Sequence, residues 1–294
     1  MMCSKNLGWR TNRLKLGFFI PKNKQIILNF AYFFVFYESK GDIMFDFHIH
    51  LARLPQPKQL TQQLCNENYD FIAVACEPWE WDEVAQLKKE FSTEVKPFKA
   101  AYGIHPMIAW QANKEMFANL RNYLQEDKHA MVGEAGIDKR YPGYEDGTQD
   151  QIFLAQAGLA LELKRDLQIH CVGDYMRLLR LLNEAGFPQD KAQGQDAEHL
   201  HMLSRLQEAP RPIFHRFGGD TNFVKKALPF GALFSLHEDS FRKKSTAAAI
   251  PHIPQERVFF ETDADESFLD PDELVEGLEN RLESVRLAYA KCRE

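Results

Sequence analysis

From residue 44 to the C-terminus, eight short apolar runs alternate with longer amphipathic stretches. The runs cover residues 44–48, 71–76, 97–103, 130–134, 167–170, 212–215, 231–235 and 257–262, each bounded by polar residues or by Gly and Pro. Runs of this length and composition read as strands. Helical periodicity marks residues 79–91, 113–126, 146–164 and 173–185, then 197–207 ahead of the sixth strand, and 271–293 at the end. A parallel crossover needs room for a helix, so this alternation predicts a parallel sheet. Eight units in about 250 residues fit an α/β fold of the (β/α)8 TIM-barrel type. An open doubly wound sheet is the competing arrangement. No G-x-G-x-x-G or P-loop follows any of the strands to support it.

Charge divides the chain at the same place. Residues 1–43 carry seven Lys/Arg and two Asp/Glu, which leaves 29 basic and 40 acidic residues in 44–294. An acidic body argues against a broad basic face for duplex binding, but not against a polyanionic substrate whose charge metal ions neutralise. Residues 1–43 read as an N-terminal extension, either upstream of the true start at Met44 or unstructured, ahead of a 44–294 hydrolase domain. The apolar run at 26–37 is 12 residues long, short of the roughly 20 that a transmembrane helix needs. No small-residue cleavage site follows it, as a signal peptide would require. The five cysteines are odd in number and form no C-x-x-C pair. A reducing compartment, and hence a cytoplasmic location, is expected.

The chemistry gathers at strand ends, which in a barrel form the active-site face. His48 and His50 make an H-x-H at the end of the first strand, and side chains at i and i+2 point the same way. Glu134 ends the fourth strand, His170 the fifth and His215 the sixth, while Asp263 follows the eighth within an acidic cluster. Taken singly, each has a structural explanation: a loop histidine, a helix cap, a solvated acid. Together, four imidazoles and two carboxylates on one rim suffice for a centre of two divalent metal ions, with Zn, Mn or Mg as candidates. Glu134 would bridge the ions, and Asp263 would both ligate and take the proton of the attacking water.

The segments FDFHIHL, YGIHP, VGEAGID, residues 149–156, LQIH, IFHRFGG and FFETDAD occur in the order of the strand-end motifs of TatD-type metal-dependent hydrolases. The chain resembles that family from about Met44 to near the C-terminus. The resemblance implies a two-metal barrel, with His48, His50 and Asp263 on one ion, His170 and His215 on the other, and Glu134 between. It also implies that His105 faces the substrate, at a phosphate oxygen. The chain departs from the family pattern in three places. The Arg expected after His170 is missing from the run Cys171, Val172, Gly173, Asp174; Asp265 stands where a Pro is expected; and the connection from His170 to His215 is long.

The expected function is therefore hydrolysis of phosphodiester bonds by metal-activated water, of the deoxyribonuclease type, with DNA or another phosphodiester as partner. The alternative is an amidohydrolase-type enzyme that cleaves a C–N or ester bond in a small molecule, and the missing Arg favours it. A barrel that has lost catalysis and serves only to bind is the third reading, against which the complete ligand set speaks.

Overall fold

The computed structural model describes residues 44–67, 69–93, 98–189, 210–268 and 274–294. The expected 1–43 extension and the expected helix at 197–207 lie outside the described residues. Eight parallel strands follow one another in a single sheet in chain order. They are β1 (Met44–Ile49), β2 (Tyr69–Ala75), β3 (Lys99–Tyr102), β4 (Met131–Asp138), β5 (Leu167–Val172), β6 (Pro212–Phe214), β7 (Leu233–Leu236) and β8 (Val258–Phe260). With helices between the strands, this is the (β/α)8 barrel that the alternation predicts. β2 reads YDFIAVA and is almost wholly buried, as a parallel strand covered on both faces should be.

The helices of the first half are α1 (Pro57–Asn66), α2 (Pro78–Phe91), α3 (Lys114–Glu126), α4 (Thr148–Leu163) and α5 (Tyr175–Ala185). Those of the second half are α6 (Thr221–Ala227), α7 (Asp239–Arg242), α8 (Lys244–Ala249) and α9, described over Leu274–Arg293. Their ends follow local chemistry. Pro57 and Pro78 open α1 and α2, where a missing N–H costs nothing. Asn113, Asp174 and Asp220 cap α3, α5 and α6 through side-chain oxygens. Sequence periodicity missed α1 and the short helices after β6 and β7. Among the described helices, none is long and apolar enough to cross a membrane.

The ring closes through the segment after β8. Asp263 N–H donates to His48 O at 3.0 Å and His50 N–H to Ala264 O at 2.9 Å. Buried Asp46 reinforces this seam. It accepts from Thr262 N at 2.9 Å, Thr262 Oγ1 at 2.5 Å, Tyr69 Oη at 3.1 Å and His48 N at 3.2 Å. The ends of β1 and β8 are thereby locked in register, which sets Asp263 opposite His48 and His50.

Two strand ends differ from expectation. β4 does not stop at Glu134 but runs on to Asp138, so Glu134 lies mid-strand. β8 stops at Phe260, and the acidic cluster lies on the loop beyond it. The glycines of VGEAGID have a physical reason. A Cβ on Gly136 would sit 1.9 Å from His170 O, and Gly133 has φ +134. Only residues without a side chain let β4 and β5 approach so closely.

Candidate metal centre

Glu134, only 1% exposed, is the hub of the rim, and its two oxygens face different imidazoles. Oε1 lies 2.5 Å from His170 Nδ1, 2.6 Å from His215 Nε2 and 3.5 Å from His105 Nε2. Oε2 lies 3.3 Å from His48 Nε2 and 3.6 Å from His50 Nε2. Asp263 joins the second group, its Oδ1 lying 3.3 Å from His50 Nε2 and 3.7 Å from His48 Nε2. The six residues expected as ligands therefore converge, as does His105. Among the described residues four groups keep their possible ligand atoms within 4.8 Å of one another: His48–His50–Asp263, His48–His215–Glu261, His50–Cys76–Glu80 and His105–Glu134–His170.

An outer layer of side chains turns the imidazoles toward the hub. His48 Nδ1 donates to Gln168 Oε1 at 2.6 Å, so Nε2 presents its lone pair inward. His170 Nε2 donates to Asp138 Oδ2 at 2.9 Å and leaves Nδ1 inward, with Asp138 in turn held by Arg140. His215 Nδ1 faces Glu261 Oε1 at 3.5 Å. Asp263 Oδ2 accepts from Arg216 Nη1 at 2.7 Å, which leaves Oδ1 toward His48 and His50. Inward lone pairs backed by outward donors are the arrangement that divalent metals require of histidine. The donor set of nitrogen and carboxylate oxygen suits them as well.

His105 is oriented the other way. Its Nδ1 accepts from Met107 N at 3.0 Å, so the neutral ring carries its proton on Nε2. Burial pushes its pKa down to about 4, which keeps the ring neutral. A protonated Nε2 cannot bind a metal, but it can donate to an anionic oxygen.

The electrostatics show a site that demands positive charge. Burial opposes protonation of His170 and His215, yet the Glu134 carboxylate, with Asp138 at His170 and Glu261 at His215, outweighs it and lifts both to about 9. His48 and His50 also rise, against burial, through Glu134 and Asp263. Burial would raise the carboxyls of Glu134 and Asp263. The surrounding imidazoles instead hold both well below the usual range. Two buried carboxylates are stable here only with cations beside them, whether protons on imidazole or metal ions.

Several residues of this layer were not singled out in the sequence: Asp46, Asp138, Gln168, Glu261, Cys76 and His237. A signal existed for most of them. Asp46 and Gln168 each stand two residues before a ligand on a strand, and Asp138 four after Glu134, so strand periodicity aims them the same way, while Glu261 belongs to the acidic cluster already noted. Cys76 Sγ lies 3.4 Å from Glu134 Oε2. The 149–156 stretch also acquires a role. Gln149 clamps the backbone of Asp138, with Oε1 accepting from its N–H and Nε2 donating to its carbonyl. Gln156 grips Ile104, beside His105, in the same way.

Comparison with known proteins gives a consistent picture. The profile of the family described as TatD related DNase matches residues 45–292. A 3'-5' ssDNA/RNA exonuclease TatD of Edwardsiella piscicida is 29% identical over 168 residues, 56% of this chain and 57% of that protein. A human 3'-5' RNA nuclease is 27% identical over 168 residues, 56% of this chain and 20% of its own length. The matched span is thus little more than half the length of the bacterial relative. Among solved structures, a TatD homologue from Escherichia coli K12 aligns with TM-score 0.60 at 17% identity, covering 85% of this chain and 95% of that one. A TatD family hydrolase from Entamoeba histolytica aligns with TM-score 0.59 at 15% identity, covering 76% and 75%. These last two likenesses establish the fold.

Proposed function

The chain belongs to the TatD related DNase family, and from that premise we propose that it is a divalent-metal-dependent hydrolase of phosphodiester bonds acting on single-stranded DNA or RNA. The observation that carries this reading is the division of Glu134, with Oε1 among His105, His170 and His215 and Oε2 between His48 and His50. One carboxylate serving two imidazole groups is what a bridging ligand between two cations needs. His48, His50 and Asp263 would hold one ion and His170 and His215 the other. Ions bound there would polarise a phosphoryl oxygen and lower the pKa of a water molecule.

The remaining work falls to the chain. Asp263, ionised at neutral pH and held through Oδ2 by Arg216, accepts the proton of the attacking water on Oδ1. His105 Nε2–H, fixed by the Met107 N–H on the other ring nitrogen, donates to a phosphate oxygen. The five cysteines without a C-x-x-C pair support a reducing, cytoplasmic setting.

A substrate panel tests the proposal. Metal-stripped protein is given Zn2+, Mn2+ or Mg2+ and assayed on single-stranded DNA, RNA, duplex DNA, nucleotides and small lactones and amides. Metal-restored cleavage of single strands is expected. Turnover confined to the lactones or amides would replace this reading with the small-molecule alternative, which the missing Arg after His170 favours.

A further inference from the structure

We propose that Arg216 and His237, with Arg242 and Lys243 beyond them, form a phosphate subsite beside the metal centre that holds the backbone phosphate next to the bond being cut in a single-stranded polynucleotide. This rests on the phosphodiesterase reading above and goes beyond it, because none of these four residues belongs to the ligand set.

The subsite is built around Asp239, the first residue of α7. Arg216, the residue after His215, reaches from Asp263 to Asp239. Its Nη1 donates to Asp263 Oδ2 at 2.7 Å and its Nε to Asp239 Oδ2 at 3.0 Å, and its side chain is 47% exposed. Arg242 Nη1 lies 2.6 Å from Asp239 Oδ1 from the other side. Exposed Lys243 donates to Gly218 O at 3.4 Å, over the loop that carries Arg216. The guanidinium of Arg140, after β4, is near enough to Arg216 for the two charges to repel. Around this point Arg216, Arg242, Lys243 and Lys244 stand against Glu238, Asp239 and Asp263, in a domain with 29 basic and 40 acidic residues. Like charges gathered on an acidic body cost free energy unless an anion is shared among them.

His237 supplies an independent pointer. It ends β7 and is only 6% exposed. Asp239 N–H donates to its Nδ1 at 3.1 Å, so the neutral ring carries its proton on Nε2. Among the described residues no acceptor takes that proton. The Nε2–H is therefore left to donate outward, and a phosphate oxygen beside Arg216 can accept it. The chain has no Arg after His170, where Cys171, Val172, Gly173 and Asp174 follow. Arg140, Arg216 and Arg242 instead follow β4, β6 and β7. A phosphate bound there is one contact along the strand from the metal centre, so the subsite reads polymer length rather than base identity.

The experiment compares a dinucleoside monophosphate, with one phosphodiester, against a trinucleotide, with two. Wild-type protein with its metal should show kcat/KM at least tenfold higher on the trinucleotide. The double variant Arg242→Ala, Lys243→Ala and the single variant His237→Phe should each reduce that preference at least threefold, mainly through KM. His237→Asn, which keeps an N–H donor, should recover part of it. Binding of a cleavage-resistant 12-nucleotide phosphorothioate strand, followed by anisotropy across KCl concentrations, gives a second readout. The double variant should flatten the slope of log K against log salt by about 0.7 per lost contact. Equal use of the two substrates by wild type, or variants that keep both the preference and the slope, would overturn the subsite while leaving the metal centre intact. Cleavage of neither substrate by wild type would remove the phosphodiesterase reading and the subsite together.

Discussion

Glu134→Gln preserves the shape of the hub and removes its charge, and its consequence can be sized from the geometry. Both Glu134 oxygens are buried against imidazoles, with Oε1 2.5 Å from His170 Nδ1 and 2.6 Å from His215 Nε2. Burial alone would lower the pKa of these two histidines, yet Glu134, helped by Asp138 at His170 and by Glu261 at His215, brings each from 6.5 to about 9. At about 1.4 kcal/mol per pKa step, each ring gains on the order of 3 kcal/mol for its charged form. A divalent ion held by the same rings loses an attraction of at least that order when the carboxylate becomes an amide. Metal affinity should therefore fall by about two decades or more. In metal-free protein, NMR titration should show His170 and His215 both dropping well below 9. Metal analysis of the purified variant should find half the wild-type content or less, with the far-UV spectrum unchanged. Undiminished metal content together with histidines still titrating near 9 would refute the assignment of Glu134 as the shared carboxylate.

The other predictions concern the seam, the base and the orienting layer. Asp263→Asn should lower kcat by about 10²–10⁴, whereas Asp265→Asn, whose carboxylate only bonds Ser267 on an exposed turn, should stay near wild type; the reverse ranking would reassign the base. Asp46→Asn keeps one acceptor oxygen but turns the other, which accepts from Tyr69 Oη and Thr262 Oγ1, into a buried donor and should cost about 2–4 kcal/mol in denaturant unfolding; a change below 1 kcal/mol would show that the seam holds without it. Gln168→Leu removes the acceptor on His48 Nδ1 and should weaken metal binding about 10- to 100-fold by calorimetry, and an unchanged affinity would dismiss its orienting role. In metal-free protein, His170 and His215 titrate above their unfolded value of 6.5. The stability they confer is therefore complete below about pH 6.5 and lost as pH rises through 9, and a Tm that climbs over that interval would contradict it.

Much of this was legible in the residues alone. The repeated step from a short apolar run to an amphipathic stretch specifies strand, helix and parallel pairing, because burial period and chain length leave few other arrangements. His48, His50, His170, His215 and Asp263 could be found because histidine and acid at the end of an apolar strand are costly without a partner. Glu134 was found for the same reason, although its place in mid-strand was not visible. Three things needed the folded ring. The seam made by Asp46 with Thr262 joins residues 216 apart in sequence, and no local pattern reports such a contact. The tautomers of His48 and His170 are set by Gln168 and Asp138, so whether these rings ligate depends on neighbours brought in from other strands, whereas that of His105 is set locally by the Met107 N–H. The arrival of Arg216 at Asp239, beside the local partners His237 and Arg242, likewise needs two segments to meet on the rim. Local sequence encodes which residues need a partner, and only tertiary contact decides which partner each receives, because hydrogen bonds and charge act over a few ångströms of space whatever the separation along the chain.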